Sequence, residues 1–140
     1  MLYRSMPRTG DKISILGFGC MRLPLDGEGK IDEARASAMI RSAIDRGVNY
    51  IDTAYTYHGG ESESFVGKAL QDGYREKVFL ATKLPSWMVE TPPDMDRFLD
   101  EQLSRLRTDV IDYYLLHSLT AERWEIMKRN GFAEFLDRAL

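Results

Sequence analysis

Apolar residues recur along this chain in two rhythms, one of period two and one of period 3.6. Leu2–Met6 and Lys12–Leu16 alternate around Pro7-Arg8-Thr9-Gly10-Asp11, which predicts a β-hairpin closed by turn residues. Gly17–Leu23 reads as a buried strand whose glycines permit close backbone approach. Asp32 caps a helix predicted over Glu33–Arg46, with Gly47 as its stop. Ala36, Met39, Ile40, Ala43 and Ile44 give that helix one apolar stripe. Two further helices are predicted, over Glu61–Leu70 and from Thr91-Pro92-Pro93-Asp94 through Leu106. Met95, Leu99, Gln102, Leu103 and Leu106 form the inward stripe of the latter, and only Gln102 among them is polar. The last stretch is helical in two pieces, Ala121–Arg129 and Phe132–Leu140, broken at Asn130-Gly131.

Between the helices lie nearly all-apolar strands, near residues 49–52, 78–83 and 110–117. The repeat of roughly 30 residues is that of a βαβ unit. Continuous apolar strands imply a parallel sheet covered on its faces. The pattern leaves open sheet and barrel both standing. A complete (β/α)8 barrel needs roughly 250 residues, and 140 residues supply about four strands. That leaves two exposed sheet edges, a route to self-association.

The chain is 44% hydrophobic and 29% charged, the profile of one globular unit spanning 1–140. A net charge of −3 gives no electrostatic case for nucleic acid or an anionic membrane as partner. No apolar run approaches the ~18 residues of a membrane span, and the first residues lack a signal-peptide core. Cys20 is the only cysteine, so no intramolecular disulfide forms and a reducing cytoplasm is the expected setting.

The chemistry sits where strands run out. Asp52 and Tyr57 follow Val48–Ile51, Lys83 ends the strand beginning at Val78, and His117 ends the strand beginning at Val110. Parallel α/β folds place their sites at the C-terminal ends of strands. A phenol is too weak an acid for fast proton donation at neutral pH, and a neighbouring ammonium favours its anion. Lys83 can supply that ammonium, Asp52 can hold it, and His117 can orient a substrate oxygen. Together the four can protonate a carbonyl oxygen as hydride reaches carbon, or run the reverse oxidation. No side chain supplies hydride, so a nicotinamide or comparable cofactor is required.

Each residue taken alone also has an ordinary structural role. Asp52 can cap the next segment, Tyr57 can pack with a wet tip, Lys83 can be solvated, and His117 can be a satisfied core histidine. Gly59-Gly60-Glu61-Ser62-Glu63 reads as a helix cap, because its carboxylates disfavour phosphate. With two histidines and no His-x-x-x-His spacing, no metal site is expected at His58, His117 and Asp52.

Gly47–Ala54 with Tyr57, Glu63 and Phe65-Val66-Gly67 resembles the first signature of the aldo-keto reductase family. Leu80–Lys83 is similar to that family's lysine strand, and Asp109–His117 to its histidine strand. Lys12–Arg22 is similar to its opening, so the resemblance runs the whole chain. It implies the N-terminal part of a (β/α)8 TIM barrel, with about four parallel strands and helices after a β-hairpin. It implies an oxidoreductase that reduces a small aldehyde or ketone with NADP(H). Tyr57 would be proton donor, Lys83 and Asp52 its supporting pair, and His117 the orienting residue. Gly19, Cys20, Met21 and Asp52 would touch cofactor, with Cys20 in place of the family's common threonine. Most of the family's cofactor contacts come from later strands, so this length of chain by itself is expected to be inactive. The alternative is a half-barrel that acts by self-association or as an accessory subunit. Some microbial members carry a C-terminal iron–sulfur segment; with one cysteine, such a cluster belongs only to a region beyond Leu140.

Overall fold

The computed structural model describes residues 1–139. A two-stranded antiparallel hairpin, β1 (Tyr3–Ser5) and β2 (Lys12–Ser14), precedes a four-stranded parallel sheet. The sheet runs β3 (Phe18–Gly19), β4 (Tyr50–Asp52), β5 (Phe79–Pro85), β6 (Tyr113–His117), in chain order. The helices are α1 (Glu33–Asp45), α2 (Ser62–Ala69), α3 (Pro92–Leu106), α4 (Ala121–Arg129) and α5 (Phe132–Ala139). Leu140, the last residue of the predicted final helix, lies outside the described residues.

The predicted helix boundaries follow from their signals. Asp32 accepts from Arg35 N at 3.0 Å and starts α1. Gly47 ends it at φ 95°, with its N–H on the Ile44 carbonyl at 2.8 Å. At α3 the Asp94 carboxylate accepts from Thr91 N and Thr91 Oγ1, both at 2.8 Å, and prolines occupy the first turn. Arg97, Asp94's strongest partner, and these Thr91 bonds hold the Asp94 carboxyl well below the usual carboxylate range.

Alternation assigns the two faces of the sheet. Register pairs Phe18 with Ile51, Ile51 with Leu80, and Thr82 with Tyr114, which puts these on the helix side. There Ile51, Leu80, Ile40, Phe65, Val66 and Leu70 form one core, and Leu84, Met95, Phe98, Met127 and Phe135 a second. The other face carries Gly19, Asp52, Ala81, Lys83, Leu115 and His117. At its N-terminal end Tyr113 meets Tyr50 and Phe79 edge-on or tilted at 5.5 and 6.0 Å. Tyr113 Oη donates to Asp11 at 2.7 Å, so the hairpin closes that end.

Three expectations are corrected. The Gly17–Leu23 strand contributes a ladder at Phe18–Gly19 only. Beyond it Cys20 N still donates to Asp52 O at 2.8 Å, but Leu23 N turns away to His58 Nε2 at 3.2 Å. The last strand's ladder begins at Tyr113, not Val110. Asp112 Oδ2 replaces a backbone rung by accepting from Leu80 N at 2.8 Å, and it is held there by Arg75 at 2.7 Å. In α1, Ala36, Ile40 and Ile44 are buried, but Met39 is 46% exposed. It faces the open β3 edge with Met1, Leu16 and Phe18, and no described residue covers it.

Candidate active site

Asp52 and Lys83 project from the same face of neighbouring strands, one register step apart on the diagonal: Asp52 pairs with Ala81. The Lys83 ammonium donates to Asp52 Oδ1 at 2.7 Å, to the Thr53 carbonyl at 2.7 Å and to Tyr57 Oη at 3.2 Å. A lysine ammonium has three hydrogens and no lone pair. All three are assigned, and the phenol receives one rather than giving its own. The Tyr57 hydroxyl hydrogen is therefore not engaged by Lys83 and can be given to another acceptor. The Lys83 side chain is 13% exposed and the Asp52 side chain 29%, so the pair is shielded without being dry.

Tyr57 begins a turn, Tyr57–Gly60, in which His58, Gly59 and Gly60 take φ of 52°, 66° and 97°. Glycine enters the left-handed region freely; His58 does so at a steric cost. His58 helps offset it by accepting from Leu23 N, which ties this turn to the segment after β3. His58 Nε2 is thus engaged by the backbone, not by Asp52 or His117.

His117 lies edge-on to Tyr57, with ring centroids 5.7 Å apart, and to Trp87 at 5.1 Å. Ser86 Oγ donates to its carbonyl at 2.7 Å and fixes the end of β6. Its Nδ1 is buried and has no partner among the described residues. Burial, and then the charge of Lys83, push the imidazole below its ordinary value and favour the neutral ring. One nitrogen of the neutral ring carries a hydrogen; on Nε2 that hydrogen can be given to a substrate oxygen.

The structure brings Asp52, Tyr57, Lys83 and His117 together. Gly19 and Met21 flank them at the end of β3, and Met21 is 55% exposed. Cys20 between them is fully buried. Burial first, then the charge of Asp52, push its thiol up to about 12. Its N–H is on Asp52 O and its carbonyl accepts from Ser62 Oγ at 3.3 Å. The Gly59–Glu63 segment does not act as a side-chain cap. Ser62 points back to Thr53 Oγ1 at 2.9 Å, and Glu63 is buried behind the sheet. Among the described residues no group of three or more His, Cys, Asp or Glu could hold a metal ion.

Sequence reasoning missed Trp87, whose signal was its position just past a strand that ends in a candidate catalytic lysine. It also missed a polar cluster on the helix side. Glu63 Oε1 accepts from Thr82 Oγ1 at 2.6 Å and from Gln102 Nε2, and Tyr114 Oη donates to Gln102 Oε1 at 2.6 Å. Gln102, alone and polar in an apolar stripe, was the available clue.

The sequence profile of the Aldo/keto reductase family matches residues 15–128. The aldo-keto reductase YhdN of Bacillus subtilis is 38% identical over 125 residues, covering 84% of this chain and 38% of that protein. The methylglyoxal reductase YeaE of Escherichia coli is 40% identical over 91 residues, 65% of this chain and 31% of that one. The NADPH complex of an aldo-keto reductase from Klebsiella pneumoniae superposes with a TM-score of 0.73 at 29% identity, covering 92% of this chain and 45% of that one. This chain belongs to the aldo-keto reductase family, and its fold is the N-terminal part of that family's (β/α)8 barrel. It spans less than half the length of each of these three relatives. Among the described residues no helix is long and apolar enough to cross a membrane.

Proposed function

We propose that this chain carries the proton-transfer machinery of an NADPH-dependent reductase of aldehydes or ketones. The observation that carries the reading is the three-way hydrogen bonding of the Lys83 ammonium to Asp52, Thr53 and Tyr57. A carbonyl oxygen seated between Tyr57 Oη and His117 Nε2 receives the phenolic hydrogen from one side and a hydrogen bond from the other. Negative charge grows on that oxygen as its carbon is reduced. Tyr57 transfers its proton there, and the charge left on the phenol oxygen lies against Lys83. Asp52 holds the ammonium in place by a charge-assisted bond. Trp87 lies edge-on to His117 and gives the site an apolar wall on that side.

The residues present fit one end of NADP(H). Nothing lies within 4 Å of the point where a Cβ on Gly19 would sit, so a flat ring can approach the backbone there. Gly19, Met21 and Asp52 would hold it, with Cys20 contributing through the backbone that orders its neighbours. Bound NADPH supplies the hydride. These few groups are too small a surface for tight binding, so the 140-residue unit by itself is proposed to bind NADPH weakly or not at all and to lack activity. The open edges at β3 and β6 are where the remaining strands of a barrel, or a second copy of this chain, would pair.

The test is consumption of NADPH with simple aldehydes by the complete barrel that carries this unit, with the alcohol identified as product. Stoichiometric alcohol formation is the expected result. Absence of NADPH consumption across aldehydes and ketones overturns the reading.

A further inference from the structure

Glu63 takes no part in the proton transfer described above, yet it is a fully buried carboxylate directly behind it. We propose that Glu63, acting through Thr82 and Gln102, is a positioning residue for Lys83. The inference rests on the reductase reading for its consequence, and on geometry for its substance.

Thr82 and Lys83 are successive residues of β5, so their side chains leave opposite faces. Lys83 enters the cleft; Thr82 points to the helices and donates to Glu63 Oε1 at 2.6 Å. Holding Thr82 fixes the rotation of the strand about its own axis at the point where Lys83 departs. Gln102 adds a second hold, because its Nε2 donates to Glu63 Oε1 and also to the Lys83 carbonyl at 3.1 Å. The same amide accepts from Tyr114 Oη at 2.6 Å, which ties in β6, the strand that ends at His117. On the outer side Arg105 reaches Glu63 Oε2 at 3.4 Å and lies over the Tyr55 ring at 4.2 Å, two residues before Tyr57. One cluster therefore grips the backs of the segments that carry Lys83, His117 and Tyr57.

The sensitivity comes from the front face. The Lys83–Tyr57 bond, at 3.2 Å, is the longest of the three that Lys83 makes. A small shift of the strand lengthens it first, and a 1 Å misplacement of a reacting group costs on the order of 100-fold in rate. A cluster serving stability alone would not be expected to move the turnover or its pH dependence in a protein that stays folded.

In the complete barrel that carries this unit, the experiment compares Thr82→Val, which keeps shape and loses the hydroxyl, with Thr82→Ser, which keeps the hydroxyl. The expected result is a kcat about 10-fold lower for Thr82→Val, KM within about twofold, and a displaced pH profile of kcat, with Thr82→Ser within about twofold of wild type. Wild-type kcat and pH profile in a folded Thr82→Val protein overturn the proposal. So does a Thr82→Ser protein as impaired as Thr82→Val. Should Thr82→Val fail to fold, Glu63→Gln, which preserves shape, is held to the same kcat and pH criteria. A complete barrel that carries the wild-type unit and is inactive on every carbonyl overturns the reductase reading instead. In that case the NMR signal of Lys83 Cε, assigned with Lys83→Met, decides the positioning claim. It moves in Thr82→Val and returns in Thr82→Ser if the claim is right, and stays fixed in both if it is wrong.

Discussion

Lys83 and Asp52 face each other across adjacent parallel strands, ammonium to carboxylate at 2.7 Å, and the same ammonium donates to Tyr57. The diagonal register of β4 and β5 makes this pairing, since Asp52 lies opposite Ala81 and Lys83 is two residues further on. Asp52→Asn keeps the shape and removes the charge that holds Lys83. It is expected to lower kcat by about 100-fold or more, within the range that a positioned proton-transfer group contributes. It is also expected to cost about 1–3 kcal/mol of stability, the range for leaving a buried hydrogen-bonding group poorly matched. Steady-state kinetics of the complete barrel that carries this unit, and urea denaturation, check the two effects. Wild-type turnover would separate Asp52 from the mechanism.

His117 titrates below the ordinary histidine value of 6.5, because burial and Lys83 oppose its positive form. The unfolded chain, with an unshifted ring, takes up this proton first as pH falls. The stabilising contribution is thus complete above about pH 6.5 and is lost as pH falls from there through the folded value. Folding stability of wild type should drop relative to His117→Gln between about pH 7.5 and pH 5. The His117 Hε1 signal, distinguished from His58 by that variant, should have its midpoint below 6.5. A midpoint at or above that value contradicts the assignment of a neutral, donating imidazole.

Gly67 is where α2 and α3 touch. A Cβ there would lie 2.6 Å from Arg105 O and 2.7 Å from Leu106 C, and backbone atoms cannot step aside as a side-chain tip can. Gly67→Ala should destabilise by about 1–3 kcal/mol through overpacking, despite the better helix propensity of alanine. Thermal or urea unfolding measures it. An unchanged or raised stability would mean the helices separate at little cost.

Much of this was legible in the chain. Asp32, Gly47 and the Thr91–Asp94 box announced their helix ends because caps are local chemistry. Asp52, Tyr57, Lys83 and His117 were legible because each follows an apolar run, and strand ends converge in parallel sheets. What the sequence hid depends on register and on neighbours distant along the chain. Met39 fits the apolar period of α1 as well as Ile40 does, and only its place beside the sheet edge leaves it exposed. Asp112 reads as part of a strand until its carboxylate is seen to serve as a rung. Glu63 looked like a helix-start acid; its burial depends on Thr82 and Gln102, which are 19 and 39 residues away.

The most direct test of the account is turnover by Tyr57→Phe in the complete barrel that carries this unit, measured alongside its affinity for NADPH. Removing one oxygen should leave NADPH binding within about twofold of wild type. It should lower kcat by about 100- to 10,000-fold, the range for loss of a positioned proton donor. A Tyr57→Phe protein that reduces aldehydes within about threefold of the wild-type kcat would contradict the assignment of the proton to Tyr57, and with it the role given to Lys83.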